Sequence, residues 1–277
     1  MTEDRGAFIW YELMTPDPAG ANAFYGKVVG WTIDEAGESL PNGDEYRMIR
    51  RSDGKEQGGV FTLSGDMAGN PAGWLGYIHT PDVDAAVARI ERAGGTVHIP
   101  AMDMAGVGRM AMVGDPQGAL FYLMTPTPPP GDPDAKSDVF DYGNPQHCRW
   151  NELQTTDPAA AVALYGELFG WEQKEKMPMP VQSDAAGGVE GGEMGDYLFI
   201  HRDDGMIGAI MPKMPDVPQS AWTYYFGADD IDRAASAVSN GGGLLLGEIM
   251  QIPGGEFAVH CADPAGAQFG LVGPRKA

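Results

Sequence analysis

Four stretches of the chain follow one pattern of apolar and polar positions. Each opens with a short run of β-type residues, reaches an Asp, and continues with apolar residues at helical spacing. In the first stretch Asp17 stands where an N-cap belongs, and Pro18 takes the first helical position, where a missing N–H costs little. Phe24, Tyr25, Val28 and Val29 then fall on one face, and Gly30 supplies the stop. The second stretch has Asp82 as cap, Val83, Val87 and Ile90 inward, and Gly94-Gly95 as stop. Asp157, Leu164, Tyr165, Leu168, Phe169 and Gly170 repeat the first helix, and Asp230, Ile231, Val238 and Gly241 repeat the second.

Short runs with β character follow the helices, among them Tyr46–Arg50, Gly59–Thr62, Arg109–Val113 and Ala119–Leu123. Turns of the form Asp-Pro-x-Gly, at Asp115–Gly118 and Asp263–Gly266, precede the last strand of each half. Each quarter of the chain therefore predicts a strand, a helix and about three further strands, and two quarters make one domain.

The halves are copies. Residues 10–31 read WYELMTPDPAGANAFYGKVVGW and residues 150–171 read WNELQTTDPAAAVALYGELFGW, with 13 of 22 residues unchanged. Between the copies, proline and small polar residues favour extended and turn conformations, which marks a linker. The expected boundaries are a first domain over 6–126, a Pro-rich linker over 127–143 and a second domain over 144–274.

Composition narrows the partners. Eighteen basic against 39 acidic side chains give a formal charge of −21, which repels phosphate backbones and anionic lipid. Neither nucleic acid nor a membrane is expected as a partner. No apolar run approaches ~20 residues, and the start carries no signal-peptide pattern. Cys148 and Cys261 lie in no CxxC or CxxH pair, so the default compartment is a reducing cytoplasm.

The four βαβββ modules, the helices ending FYGKVVGW and LYGELFGW, and the DPxG turns resemble the vicinal oxygen chelate superfamily. That group includes glyoxalase I, extradiol dioxygenases and bleomycin-resistance proteins. The tandem pattern WxELxTxDP…YGxxxGW is more narrowly similar to two-domain glyoxalase-like culture-filtrate antigens of actinobacteria. The resemblance implies an α+β fold of tandem glyoxalase-like domains, each a cupped, partly open barrel of two modules. It does not fix a reaction, because one scaffold hosts many chemistries.

Metal-using members of the superfamily place His or Glu at four strand positions facing the cup. Carried onto this sequence, these positions fall on Trp10, Leu75, Tyr122 and near Thr62, and in the second half on Trp150, Thr223, Gly270 and near Met211. A divalent cation needs three or four converging imidazole, carboxylate or thiolate donors. The resemblance thus implies no metal and no cofactor in either cup.

What remains on the inferred inner face is aromatic and acidic. Strand period two places Glu12 beside Trp10 and Glu152 beside Trp150. Each acid is either a tether for a neighbouring hydroxyl or backbone group, or the candidate catalytic group, able to act as general base or to meet a cation. The candidate ligand-binding residues are Trp10, Glu12, Tyr77, His79 and Tyr122 in the first half, and Trp150, Glu152 and Tyr225 in the second. Trp74 and Trp222 read either as core or as stacking surfaces. His260 and Cys261 are adjacent on a strand, so they face opposite sides and form no dyad.

The expected function is metal-independent binding of a small molecule, aromatic or cationic. Two alternatives stand beside it: a metal-dependent lyase, isomerase or dioxygenase of the same superfamily, and a non-catalytic interaction or scaffold protein. The oligomeric state is open.

Overall fold

The computed structural model describes residues 4–40, 45–180, 193–203, 205–215 and 217–276. The first quarter comprises β1 (Phe8–Thr15), α1 (Pro18–Val28), β2 (Thr32–Ile33), β3 (Glu38–Ser39), β4 (Glu45–Arg50) and β5 (Glu56–Thr62). The second comprises β6 (Gly73–His79), α2 (Val83–Arg92), β7 (Thr96–Met104), β8 (Gly108–Gly114) and β9 (Leu120–Pro126). The third comprises β10 (Cys148–Thr155), α3 (Pro158–Phe169), β11 (Glu172–Pro180), β12 (Glu193–Arg202) and β13 (Gly205–Pro212). The fourth comprises β14 (Ala221–Gly227), α4 (Ile231–Asn240), β15 (Leu244–Leu245), β16 (Met250–Gln251), β17 (Phe257–Ala262) and β18 (Gln268–Gly273).

Local chemistry sets the helix ends as expected. The side chains of Asp17, Asp82, Asp157 and Asp230 each accept backbone N–H groups in the first turn of the helix that follows. Gly30 and Gly170 hold positive φ just past their helices, a conformation that costs glycine least. One inward position is corrected: in α2, Ala86 is buried with Val83 and Ile90, while Val87 is half-buried, because the buried stripe turns toward Ala86.

The strands form two open sheets, of orders β2-β4-β5-β1-β6-β9-β8-β7 and β11-β12-β13-β10-β14-β18-β17-β15, with β3 beside β4 and β16 beside β17. Each sheet thus gathers two βαβββ modules. This is the α+β, sheet-dominated architecture read from the sequence.

By spatial proximity the chain divides into two compact units. One contains Phe8–Tyr77, Lys136–Trp150 and Thr223–Ala277; the other contains Met1–Ala7, Ile78–Ala135 and Asn151–Trp222. In the unit built around β1, the outward row of that strand meets an aromatic core. Tyr11 packs edge-on against Tyr224 at 5.2 Å, Trp31 and Trp74 each lie 4.7 Å from Phe226, and Tyr25 lies 5.4 Å from Phe269. In the other unit Tyr165 is the hub. It stacks on Trp171 at 5.4 Å, meets Trp222 edge-on at 5.5 Å and lies 5.5 Å from Phe121.

The end of the Pro-rich stretch is fastened to the β1 unit. Arg51 and Lys55 both reach Asp138 at 2.9 Å, and the buried Gln57 amide donates to the Val139 carbonyl at 2.7 Å.

Candidate functional site

β1 is the spine of the site. Trp10, Glu12 and Met14 project to one face, while Tyr11 and Leu13 enter the core on the other. β5 runs parallel to β1 with Gly59 opposite Glu12 and Phe61 opposite Met14. β4 is antiparallel to β5 with Met48 opposite Gly59 and Tyr46 opposite Phe61. Paired residues share a face, so these side chains form one wall of aromatic rings and thioethers around one carboxylate.

Two hydrogen bonds organise that wall. The Tyr77 hydroxyl donates to Glu12 Oε2 at 2.8 Å, and both residues are buried. The Trp10 indole N–H donates to the Tyr46 hydroxyl at 2.7 Å, and this pair is half-buried. Gly59 makes room for the second bond, because a Cβ there would stand 2.1 Å from the Tyr46 hydroxyl oxygen. A carboxylate tied to a phenol therefore lies in the wall beside a partly open Trp–Tyr pair. Such a surface can stack a flat molecule and meet a cation or a hydrogen-bond donor.

The second copy holds the same residue types. Leu153 is opposite Ile210 and Ile210 opposite Leu198, just as Leu13 is opposite Val60 and Val60 opposite Arg47. Tyr197 is thereby the counterpart of Tyr46. It donates to Glu152 Oε2 at 2.8 Å, and Tyr225, the counterpart of Tyr77, is hydrogen-bonded to His260 Nε2. Glu152 and Tyr197 belong to one compact unit; Trp150, Tyr225 and His260 belong to the other. Trp150 lies 6.2 Å from Tyr142, edge to face.

Of the residues expected at the site, Glu12 and Tyr77 are joined directly and Trp10 shares their face. Tyr122 sits on β9 opposite Met112 and belongs to the other compact unit, as does His79. Burial pushes the His79 imidazole below its ordinary value, and its Nδ1 has no hydrogen-bond partner among the described residues. Trp74 and Trp222 take the core role: Trp74 donates to the Tyr25 hydroxyl at 2.9 Å, and Trp222 packs on Tyr165. Sequence reasoning missed Tyr46 and Tyr197. The signal for Tyr46 was present in the run Tyr46–Arg50, whose alternation puts Tyr46 and Met48 on one face.

The donor set does not suit a metal ion. Trp10, Leu75 and Tyr122 offer an indole, an aliphatic chain and a phenol where metal-using relatives would offer His or Glu. The position expected near Thr62 resolves to its neighbour Phe61, since Thr62 is opposite Thr15 while Phe61 is opposite Met14 and shares the face of the Trp10–Glu12–Met14 row. Among the described residues, no group of three His, Cys, Asp or Glu side chains converges to hold a metal.

A family model described as Glyoxalase/Bleomycin resistance protein/Dioxygenase superfamily matches residues 7–123 and 145–271. The chain belongs to this superfamily. Both glyoxalase-family matches fall on the repeated halves. Among relatives, CFP32 of Mycobacterium tuberculosis (strain CDC 1551 / Oshkosh) is 32% identical over 273 residues, covering 98% of this chain and 95% of its own. Anthracycline biosynthesis protein DauV of Streptomyces sp. (strain C5) is 30% identical over 291 residues, covering 98% and 94%. Solved structures share the superfamily fold at low identity. The Mn(II)-bound glyoxalase from Novosphingobium aromaticivorans aligns with a TM-score of 0.58 at 16% identity, over 98% of this chain and 83% of that one. The 2,3-dioxygenase LapB from Pseudomonas sp. KL28 aligns with a TM-score of 0.61 at 14% identity, over 99% and 94%.

Proposed function

We propose that this member of the glyoxalase/bleomycin resistance/dioxygenase superfamily binds a flat aromatic or cationic small molecule without a metal, on the wall formed by Trp10, Glu12, Tyr46 and Tyr77. The observation that carries the reading is the pairing of a buried Glu12–Tyr77 bond with a half-buried Trp10–Tyr46 pair on the same strand face. A tryptophan face attracts a planar cation by ~0.5 to 2 kcal/mol, and a carboxylate beside it adds charge and orientation. The absence of metal donors at Trp10, Leu75 and Tyr122 supports the metal-independent form. DauV is named for anthracycline biosynthesis, and a fused aromatic ring system suits such a wall. Glu152 with Tyr197 is the corresponding candidate in the second half.

The protein is proposed to work in the cytoplasm, where Cys148 and Cys261 remain free and buried. No helix among the described residues is long and apolar enough to cross a membrane.

Native mass spectrometry of protein isolated from cell extract tests the reading. A retained small molecule that is lost in Trp10→Phe and in Glu12→Gln is the expected result. Stoichiometric manganese, iron, nickel or zinc surviving chelator-free purification would overturn it.

A further inference from the structure

The last quarter departs from the second at the outer edge of its sheet. Among the described strands β15 pairs only with β17, with Leu244 opposite Ala262 and Leu245 opposite Cys261, and it ends the strand order. Its counterpart β7 has Thr96 opposite Gly114 and Val97 opposite Val113, so Thr96, Val97 and His98 stand where Leu244, Leu245 and Leu246 stand in the later copy. Thr96 and His98 are exposed and hydrogen-bonded to each other, a polar edge of the kind that resists further pairing. The three leucines are exposed as well, by 63, 39 and 46%, and Met250 on β16, along the same edge, by 62%. The first half builds the same strand without leucine at these positions, so the fold does not require them.

This edge is self-complementary. Residues 243–247 read Gly-Leu-Leu-Leu-Gly, symmetric about Leu245. The Leu246 N–H donates to the His260 carbonyl, and strand alternation turns the N–H and C=O of Leu245 the other way, out of the sheet edge. A second copy laid antiparallel about a two-fold axis at Leu245 exchanges both groups with the first. Leu244 then meets the second copy's Leu246, and Gly243 meets its Gly247, where a Cβ would have nothing within 4 Å. The stretch carries no charge in a chain whose formal charge is −21, so a second copy approaches here at little electrostatic cost.

We propose that β15 is a self-docking edge, at which two copies of this chain join antiparallel through Leu244, Leu245 and Leu246 and continue one sheet across a two-fold axis. The pairing uses up both edges, so assembly stops at the dimer. The exposed apolar surface of the three leucines and Met250 is on the order of 400 Å² per copy, about half of what each partner gives a standard interface, so the dimer is reversible.

Sedimentation equilibrium of the full-length protein at rising concentration tests this. A monomer–dimer equilibrium is expected, shifted toward dimer by added sodium chloride, which screens the repulsion between two acidic copies. Amide hydrogen exchange at Leu245 is expected to slow as the dimer fills. Leu244→Thr, Leu245→Val and Leu246→His together give the edge the residues of the first half. With far-ultraviolet circular dichroism unchanged, that variant is expected to weaken association about tenfold or more. If it does not fold, Leu246→Glu, which sets an acid against the second copy's Leu244, replaces it with the same expected weakening. A monomer at every concentration, which would leave the edge to a different protein, overturns the proposal. So does a dimer that survives the edge variant, a dimer weakened by salt, or exchange at Leu245 that ignores concentration.

Discussion

The hydroxyl of Tyr25 donates to Asp263 Oδ2 at 3.1 Å, joining the first helix of the chain to the last DPxG turn across 238 sequence positions. Its repeat counterpart does the same: Tyr165 donates to Asp115 Oδ2 at 3.1 Å. The other oxygen of each Asp closes its own turn, accepting at 2.9 Å from Gln117 and Ala119 in one case and from Ala265 and Ala267 in the other. A duplicated helix motif and a duplicated turn motif are therefore two ends of one bond, made once inside each compact unit.

These carboxyls should leave a signature in acid. Burial is the leading cause that raises both Asp115 and Asp263 above the ordinary value of 3.8. An acid with a raised folded pKa holds its proton more tightly when folded, so its contribution to stability is full below 3.8 and is lost as pH rises through the raised folded value. Asp263→Asn keeps an acceptor for the turn and cannot ionise. In thermal melts its stability relative to wild type should be most favourable near neutrality and fall as pH drops through that window. A difference independent of pH would refute the assignment.

Tyr77→Phe should destabilise the protein by about 1 to 3 kcal/mol, because the buried Glu12 carboxylate loses a donor. Tyr77→Phe combined with Glu12→Gln should recover part of that loss, since a neutral amide costs less to bury than a carboxylate. Urea denaturation of the two single variants and the double variant reads the coupling.

Tyr46→Phe should behave differently. Tyr46 and Trp10 are half-buried, and the loss of their shared bond should cost stability less than about 1 kcal/mol while changing tryptophan fluorescence and weakening ligand retention. Unchanged ligand retention would remove Tyr46 from the site.

Two glycines mark strands too close for any side chain. A Cβ at Gly58 would stand 2.1 Å from the Tyr11 carbonyl oxygen, and one at Gly208 would stand 1.8 Å from that of Asn151. The obstacle is backbone in both cases, so Gly58→Ala and Gly208→Ala should each cost about 1 to 3 kcal/mol or more. Gly54→Ala, where nothing lies within 4 Å but φ is +83°, separates backbone strain from overpacking in the same melts.

Both thiols should resist alkylation in the native protein. Cys148 and Cys261 are fully buried, and burial pushes each thiol up to about 12. Reaction with a disulfide reagent should follow global unfolding, at one rate for both; rapid labelling of either would contradict its packing.

Much of this was legible in the chain. Helix caps at Asp17, Asp82, Asp157 and Asp230 follow from local chemistry, and the Glu12–Tyr77 meeting follows from strand alternation within one half. Alternation in Tyr46–Arg50 put Tyr46 and Met48 on one face, but which face meets the wall needed the register between β4 and β5, and the same register chooses Phe61 over Thr62. The bond between Tyr225 and His260 lay further out of reach. It depends on what stands two strands away: Gly270 clears the path from Tyr225 to His260, and no periodicity announces that a missing side chain will be crossed by a ring.

The fastening of Asp138 and Val139 onto Arg51, Lys55 and Gln57 changes what a break in the Pro-rich stretch would do. Each compact unit draws on residues from before and after that stretch. A protease nick among Pro128, Pro129 and Pro130 should therefore leave a complex of two fragments that migrates as the intact protein under native conditions. It should come apart only in denaturant, in the manner of a complemented enzyme.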